Sequence, residues 1–218
     1  MHQKGPKELF FGPFLRLFFR FMGASAEHLA MATAAAEANG VPVDLFLGLI
    51  QTESRWEPTA RSGAGALGLA QVMPWWAKEF GIEVNQLLDP ATNLRVGANI
   101  LAQELARFNG NWALAAMAYN GGAPMVIKAQ KAANGATDAE TVSRFIPAAE
   151  TRAYWGKVLN WASYYAGQIS ATQAKIGAAS GAVTEEVKEN LRGISGATIA
   201  ALLAVGVGAI LFLGGRRG

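Results

Sequence analysis

Apolar positions along the chain recur mostly at helical spacing, and the best-phased run is 45–55, Leu-Phe-Leu-Gly-Leu-Ile-Gln-Thr-Glu-Ser-Arg. Leu45, Phe46, Leu49 and Ile50 fall on one face of a helix and predict a core-facing stripe. Pro42 suits the first turn, and Asp44 places a negative charge at the positive end of the helix dipole. Pro58 opposes continuation, which puts Glu53 in the last turn. A carboxylate there feels the negative end of the dipole and, if partly buried, loses hydration. Both effects hold the proton on, as a general acid near neutral pH requires. The competing reading of the same pattern is a glutamate at an exposed helix end.

The same patterning predicts a mainly helical chain. Residues 26–39 form an alanine-rich helix closed by Gly40, and the glycine-rich stretch 58–70 is an extended loop. A short helix covers 71–80 with Pro74 near its start. Asp89-Pro90 opens a long amphipathic helix to about Phe108, broken at Asn109-Gly110. Asn111 caps the next helix, which runs to Tyr119 and stops at Asn120-Gly121-Gly122. A small-residue loop over 132–141 precedes a helix over 148–165 carrying Tyr154, Trp155, Leu159 and Trp161. From 168 to 193 the composition shifts to Ser, Thr, Ala, Gly and Gln, and the stretch reads as a flexible linker with a short charged helix from Thr184.

Both ends are more apolar than the middle. Residues 1–25 form a hydrophobic, amphipathic segment. Arg16 and Arg20, four apart, share one face of an interfacial helix rich in phenylalanine. Lys4, Lys7 and Ala24-Ser25-Ala26 faintly resemble a secretory signal and its cleavage site, against which those arginines and the retained Met1 argue. Residues 194–215 carry no charge and approach the ~20 residues a bilayer requires, so a C-terminal transmembrane helix is expected. Ala200, Ala204 and Gly208 share a face on it that permits close self-association. The basic tail 216–218 holds Arg216 and Arg217. It places that end on the cytoplasmic side, with the main domain across the membrane. The domain plan is therefore 1–25, a catalytic domain over 26–167, the linker 168–193, the span and the tail.

Composition then narrows the chemistry. The 218 residues contain no cysteine and only two histidines, His2 and His28, both early in the chain. That excludes thiolate metal sites and cysteine nucleophiles, and disfavours a zinc hydrolase or serine–histidine triad in the main body. Acid–base work falls to carboxylates. The net charge of +3 fits a negatively charged envelope polymer or lipid surface. Its basic residues are scattered, so no nucleic-acid binding is expected.

Four motifs stand in order: Glu53-Ser54; Gly63-Ala-Gly-Ala-Leu-Gly68-Leu-Ala-Gln71-Val-Met73-Pro74; Ala118-Tyr119-Asn120-Gly121-Gly122; and Ile146-Pro147-Ala-Ala-Glu150-Thr151-Arg152-Ala-Tyr154. In order and spacing they resemble the catalytic domain of the soluble lytic transglycosylase family, over roughly residues 26–166. The resemblance implies a lysozyme-like, mainly α fold of the α+β lysozyme superfamily. It also implies cleavage of the β-1,4 bond between N-acetylmuramic acid and N-acetylglucosamine in peptidoglycan.

Carried over, the resemblance makes Glu53 the catalytic acid and then base, with Ser54 hydrogen-bonding near it. Gly68, Gln71 and Met73 line the sugar groove, Tyr119 orients the carboxyl group, and Asn120 holds the loop or the sugar. Glu150 and Tyr154 shape the cleft, although a surface salt bridge of Glu150 with Arg144 or Arg152 reads equally well. Ala70 stands where the family usually has methionine, so one sugar contact is expected to loosen. Trp75 and Trp76 either stack on sugars or bury, with burial expected for at least one. Glu57, Glu79, Glu83 and Glu104 read as solvated faces.

One carboxylate suffices if the substrate supplies its own nucleophile, the muramic acid C6 hydroxyl, which closes a 1,6-anhydro ring without cofactor or metal. The expected partners are peptidoglycan strands and a lipid bilayer. The setting is a phage virion or, alternatively, a bacterial inner membrane and periplasm. The rival functions are a muramidase that uses water and a non-catalytic peptidoglycan-binding virion component.

Overall fold

Local signals start and stop the helices close to where the pattern puts them. In the computed structural model, which describes the backbone over residues 24–190 and side chains over 24–171, the first helix is α1 (Ala26–Ala38). Ser25 caps it by accepting from the His28 amide at 3.0 Å, and Ala24 is buried against the core. Helix α2 (Val43–Glu53) begins after Pro42 and does end at Glu53. Helix α3 (Trp75–Glu79) follows Pro74, and a 3₁₀ turn spans Val84–Leu88.

Asp89 caps α4 (Pro90–Arg107) through the Thr92 amide at 2.8 Å, and Asn111 caps α5 (Trp112–Gly121) through the Leu114 amide at 3.1 Å. Three more helices complete the described chain: α6 (Ala123–Ala132), α7 (Ala139–Ser143) and α8 (Ala149–Asn190). Of the small-residue loop expected over 132–141, the last part is the start of α7, which Asp138 caps through the Thr141 amide at 2.8 Å. The glycine-rich stretch is a loop as expected, with isolated bridges pairing Leu67 to Arg61 and to Val72.

Two apolar clusters fix the arrangement. The larger joins α1, α2 and α4 through Ala32, Leu45, Phe46, Leu49, Leu94 and Leu101, with Leu69 and Leu87 from the loops beside them. The smaller lies under α5, α6 and α7 around Leu114, Met117, Val126 and Val142, and Trp155 of α8 touches both. Helix α2 approaches α8 at Gly48. A β-carbon there would stand 2.7 Å from both the Val158 carbonyl and the Ala162 nitrogen, so only glycine fits. That close contact brings the end of α2 against the first turns of α8.

The first compact unit ends at Ile169; of the second, which begins at Ser170, the described part is helical backbone to Asn190. The stretch read as a linker, 168–193, is therefore helical over most of its length. Its alanines, glutamines, lysines and glutamates favour helix more strongly than its scattered glycines oppose it. Among the described residues no helix is long and apolar enough to cross a membrane. Residues 1–23, the expected span 194–215 and the tail 216–218 lie outside the described residues.

Candidate active site

The chain turns sharply immediately after Glu53. Arg55 and Trp56 both take left-handed backbone, φ 52° and 67°, a conformation that costs an L-residue about 1–2 kcal/mol. Local bonds hold the turn: the Ser54 hydroxyl accepts from the Trp56 amide at 3.1 Å and donates to the Ile50 carbonyl at 3.3 Å. The turn buries the Trp56 indole, whose Nε1 donates to the Tyr165 hydroxyl at 2.9 Å, while that hydroxyl donates to Gln51 Oε1 at 3.3 Å. Ser54 is thus buried, and its hydroxyl is engaged in the turn that presents Glu53.

The carboxyl group of Glu53 is half-buried, and the Tyr154 hydroxyl donates to its Oε1 at 2.5 Å. Burial pushes the Glu53 pKa from 4.5 up to about 7; the Tyr154 bond pulls it down, and the nearby Glu150 charge raises it again. Near neutral pH this group can therefore give up a proton and take one back. The Tyr154 phenol is itself held well above its ordinary range, by burial first and then by the Glu53 charge, so it remains a donor.

This corrects the expected division of labour between the two tyrosines. Tyr154, 101 residues from Glu53 in sequence, makes the hydrogen bond to the carboxyl group. Tyr119 instead donates its hydroxyl to the Ala70 carbonyl at 2.7 Å, and burial, then Glu53, raises its pKa. Tyr154→Phe is expected to remove a bond that favours the ionised carboxylate. The alkaline limb of a pH–rate profile should then move to higher pH while the rate at neutral pH falls roughly tenfold.

The glycine-rich loop is pinned by a residue that the motifs do not contain. Asn93 of α4 is fully buried. It accepts from the Ala70 amide at 2.7 Å and donates to the Leu67 and Leu87 carbonyls, each at 2.8 Å. Gly68 lies against it at φ 75°, where a β-carbon would meet Asn93 Nδ2 at 2.5 Å and the Leu87 carbonyl at 2.8 Å. Only glycine fits there, so Gly68 lets the loop pack closely on Asn93 and the Leu87 carbonyl. Ala70 is likewise fully buried, and its carbonyl accepts from the Tyr119 hydroxyl. A sequence signal for Asn93 existed: an amide at the apolar phase of α4, three and four residues before Val96 and Gly97.

A groove of about 530 Å³ runs beside this centre, lined by Gln71, Met73, Trp75, Trp76, Tyr119 and Asn120 among others. Gln71 sits in left-handed backbone, φ 47°, and its Nε2 braces the Gly68 and Ala60 carbonyls at 2.8 and 3.1 Å. Asn120 accepts from the Thr151 hydroxyl at 2.7 Å, which ties the end of α5 to α8. Of the two tryptophans, Trp76 packs on the core and against Phe80, while Trp75 is 62 % exposed in the groove wall. Glu150 is exposed and acts on Glu53 through its charge. Arg144 pairs with Glu140 at 3.2 Å, and Arg152 donates to the Ile146 and Pro147 carbonyls.

Glu57, Glu79 and Glu83 are solvated as expected, but Glu104 is not. It is 7 % exposed, lines the groove and pairs with Arg107 at 3.1 Å. Its helical phase, four residues after Ile100, puts it on the same face of α4 as that isoleucine.

A family model described as "Transglycosylase SLT domain" matches residues 30–142. The soluble lytic murein transglycosylase of Escherichia coli K12 is 35 % identical over 133 residues, which is 57 % of this chain and 21 % of that protein. The peptidoglycan transglycosylase gp16 of Escherichia phage T7 is 36 % identical over 141 residues, covering 62 % of this chain and 10 % of that one. Among solved structures, an inactive mutant of lytic transglycosylase Slt from Pseudomonas aeruginosa superposes with a TM-score of 0.60 at 36 % identity, covering 73 % of this chain and 26 % of that chain. The chain thus spans about a fifth of the first relative's length and a tenth of the second's.

Proposed function

Because the chain belongs to the transglycosylase SLT domain family, we propose that it cleaves the β-1,4 bond between N-acetylmuramic acid and N-acetylglucosamine by ring closure rather than by hydrolysis. The observation that carries this reading is the half-buried Glu53 carboxyl group, poised near pH 7 by burial and aimed by Tyr154. In the first half-reaction protonated Glu53 gives its proton to the glycosidic oxygen, and the C1–O bond breaks. The resulting carboxylate then takes the proton of the muramic acid C6 hydroxyl as that oxygen bonds to C1. Glu53 ends as it began, and no water is consumed. The intramolecular attack gains from proximity. Ser54 and Trp56 fix the carboxylate's place, the braced Gln71 and Met73 bound the groove, and Tyr119 and Asn120 form its floor beside the acid. Burial first, and the nearby Glu150 charge only after it, keeps the proton on Glu53 in the resting site.

The test is the mass of muropeptides released from purified sacculi. Ring closure gives products lighter by one water than those of a muramidase, in which Glu150, whose charge reaches Glu53, would activate water. Hydrolytic masses would overturn the mechanism while leaving the family intact.

The setting of the domain belongs to the same proposal. The uncharged segment 194–215 is long and apolar enough to span a bilayer, with Arg216 and Arg217 behind it and the domain facing the wall. Ala200, Ala204 and Gly208 would let two such helices pack closely. The phage origin of one relative supports local wall opening by a virion component, and the bacterial origin of another supports an envelope enzyme.

A further inference from the structure

We propose that Arg107 is a specificity residue that binds a carboxylate of the peptide stems carried by the glycan, so that the groove selects strands whose stems keep free carboxylates over strands whose stems are neutralised. The inference rests on the reading of the groove as a peptidoglycan site. Helix α4 presents one face to the groove at helical spacing, Ile100, Glu104 and Arg107. The Tyr119 hydroxyl lies over Gly97 of the same helix, 3.2 Å from where a β-carbon would stand. Arg107 comes ten residues later, about 15 Å along the axis at 1.5 Å per residue. It therefore stands at the far end of the groove, well away from the reacting bond.

Its chemistry there is that of a receptor. The Glu104 carboxylate, 9 % exposed in its side chain, accepts from Arg107 Nε at 3.1 Å and thereby fixes the guanidinium. The Arg107 side chain is 47 % exposed, and the Nε bond to Glu104 leaves the planar terminal N–H groups as the fork that matches a carboxylate in bidentate fashion. A plain stabilising pair does not call for the cationic member in the wall of a groove. In stem-bearing strands the sugars offer neutral hydroxyl and amide groups, because the muramic lactyl carboxyl is held in the amide to the stem. Peptide stems end in, and branch with, carboxylates, the one class of substituent on this polymer that repays a fixed guanidinium.

The experiment measures binding rather than turnover, so that it stands apart from the catalytic reading. In the Glu53→Gln protein, affinities are compared for soluble glycan strands whose peptide stems keep their free carboxylates and for the same strands after carbodiimide coupling to ammonia has turned those carboxylates into amides. The strands with free stem carboxylates should bind on the order of tenfold more tightly, in line with one charge-assisted hydrogen-bonded contact. That preference should shrink with added salt and vanish in Arg107→Gln. Arg107→Lys, a point charge without the fork, should keep only part of it. Should Arg107→Gln alone be too unstable, the double variant Arg107→Gln with Glu104→Gln leaves no buried charge unpaired and must lose the same preference. Equal affinities before Arg107 is changed, or a preference that survives its removal, overturn the proposal. Hydrolytic products in the muropeptide assay would overturn the ring-closure mechanism without touching this one.

Discussion

Glu53→Gln should lower turnover on purified sacculi by on the order of 10³-fold or more, since one group serves both proton transfers and each is worth about 10²–10⁴-fold. The same variant should make the domain more stable, but only at the higher pH values. Glu53 is raised from 4.5 to about 7 in the folded protein, so between those values the folded state binds more protons than the unfolded state. Stability from this group is thus present below the unfolded value and is lost as pH rises through the folded one. At 1.36 kcal/mol per pH unit the loss amounts to about 3 kcal/mol by the time pH passes the folded value. Glutamine has no charge to bury. Urea unfolding of the two proteins should coincide near pH 4 and diverge steadily to pH 7, with the variant the more stable. Curves that remain parallel across that range would show that the carboxyl group is not held in a water-poor site, and the acid–base reading of Glu53 would fail with them.

That conflict between stability and chemistry also explains which parts of the molecule were legible in its sequence. Helix ends are decided by a few neighbouring residues, and Asp89-Pro90, Asn111 and Gly122 mark them plainly. The placement of Glu53 in the last turn of α2 follows from the same local rules. What local patterning does not hold is the choice between two tyrosines. Both lie in motifs and both stand near Glu53, Tyr154 buried and Tyr119 partly so. Only the close packing of α2 on α8 at Gly48 decides that Tyr154 reaches the carboxylate while Tyr119 turns to Ala70.

Glu104 escaped for a related reason. A glutamate one turn after Ile100 reads as the polar border of an amphipathic helix, and only the groove opposite shows that it faces inward. The stretch 168–190 misled through composition. Small and polar residues suggest a linker, but most of those present tolerate helix well, and nothing there forces a stop.

The second large effect is expected far from the acid. Asn93→Leu keeps the volume but leaves the Ala70 amide and the Leu87 carbonyl without their buried partner, while the Leu67 carbonyl keeps the Val72 amide at 2.9 Å. An unsatisfied buried group costs about 1–3 kcal/mol, so the variant should lose on the order of 4 kcal/mol, a large share of a typical 5–15 kcal/mol total. Activity should fall further than stability alone accounts for, because the displaced Ala70 carbonyl is also the acceptor that holds Tyr119 in the groove. Asn93→Asp separates the two contributions. Ionised, it still accepts from the Ala70 amide, but its second oxygen faces two carbonyls and repels them. Protonated, it donates to one of them.

The folded state of Asn93→Asp therefore favours the protonated acid, which raises its pKa above the unfolded value. Its stability must fall as pH rises through that raised value, whereas the stability deficit of Asn93→Leu relative to the parent protein should not depend on pH. Chemical denaturation at pH 4 and pH 8 measures both. If Asn93→Leu proves as stable as the parent protein, the loop is held by its own turns, and the amide is not what fixes the groove wall opposite Glu53.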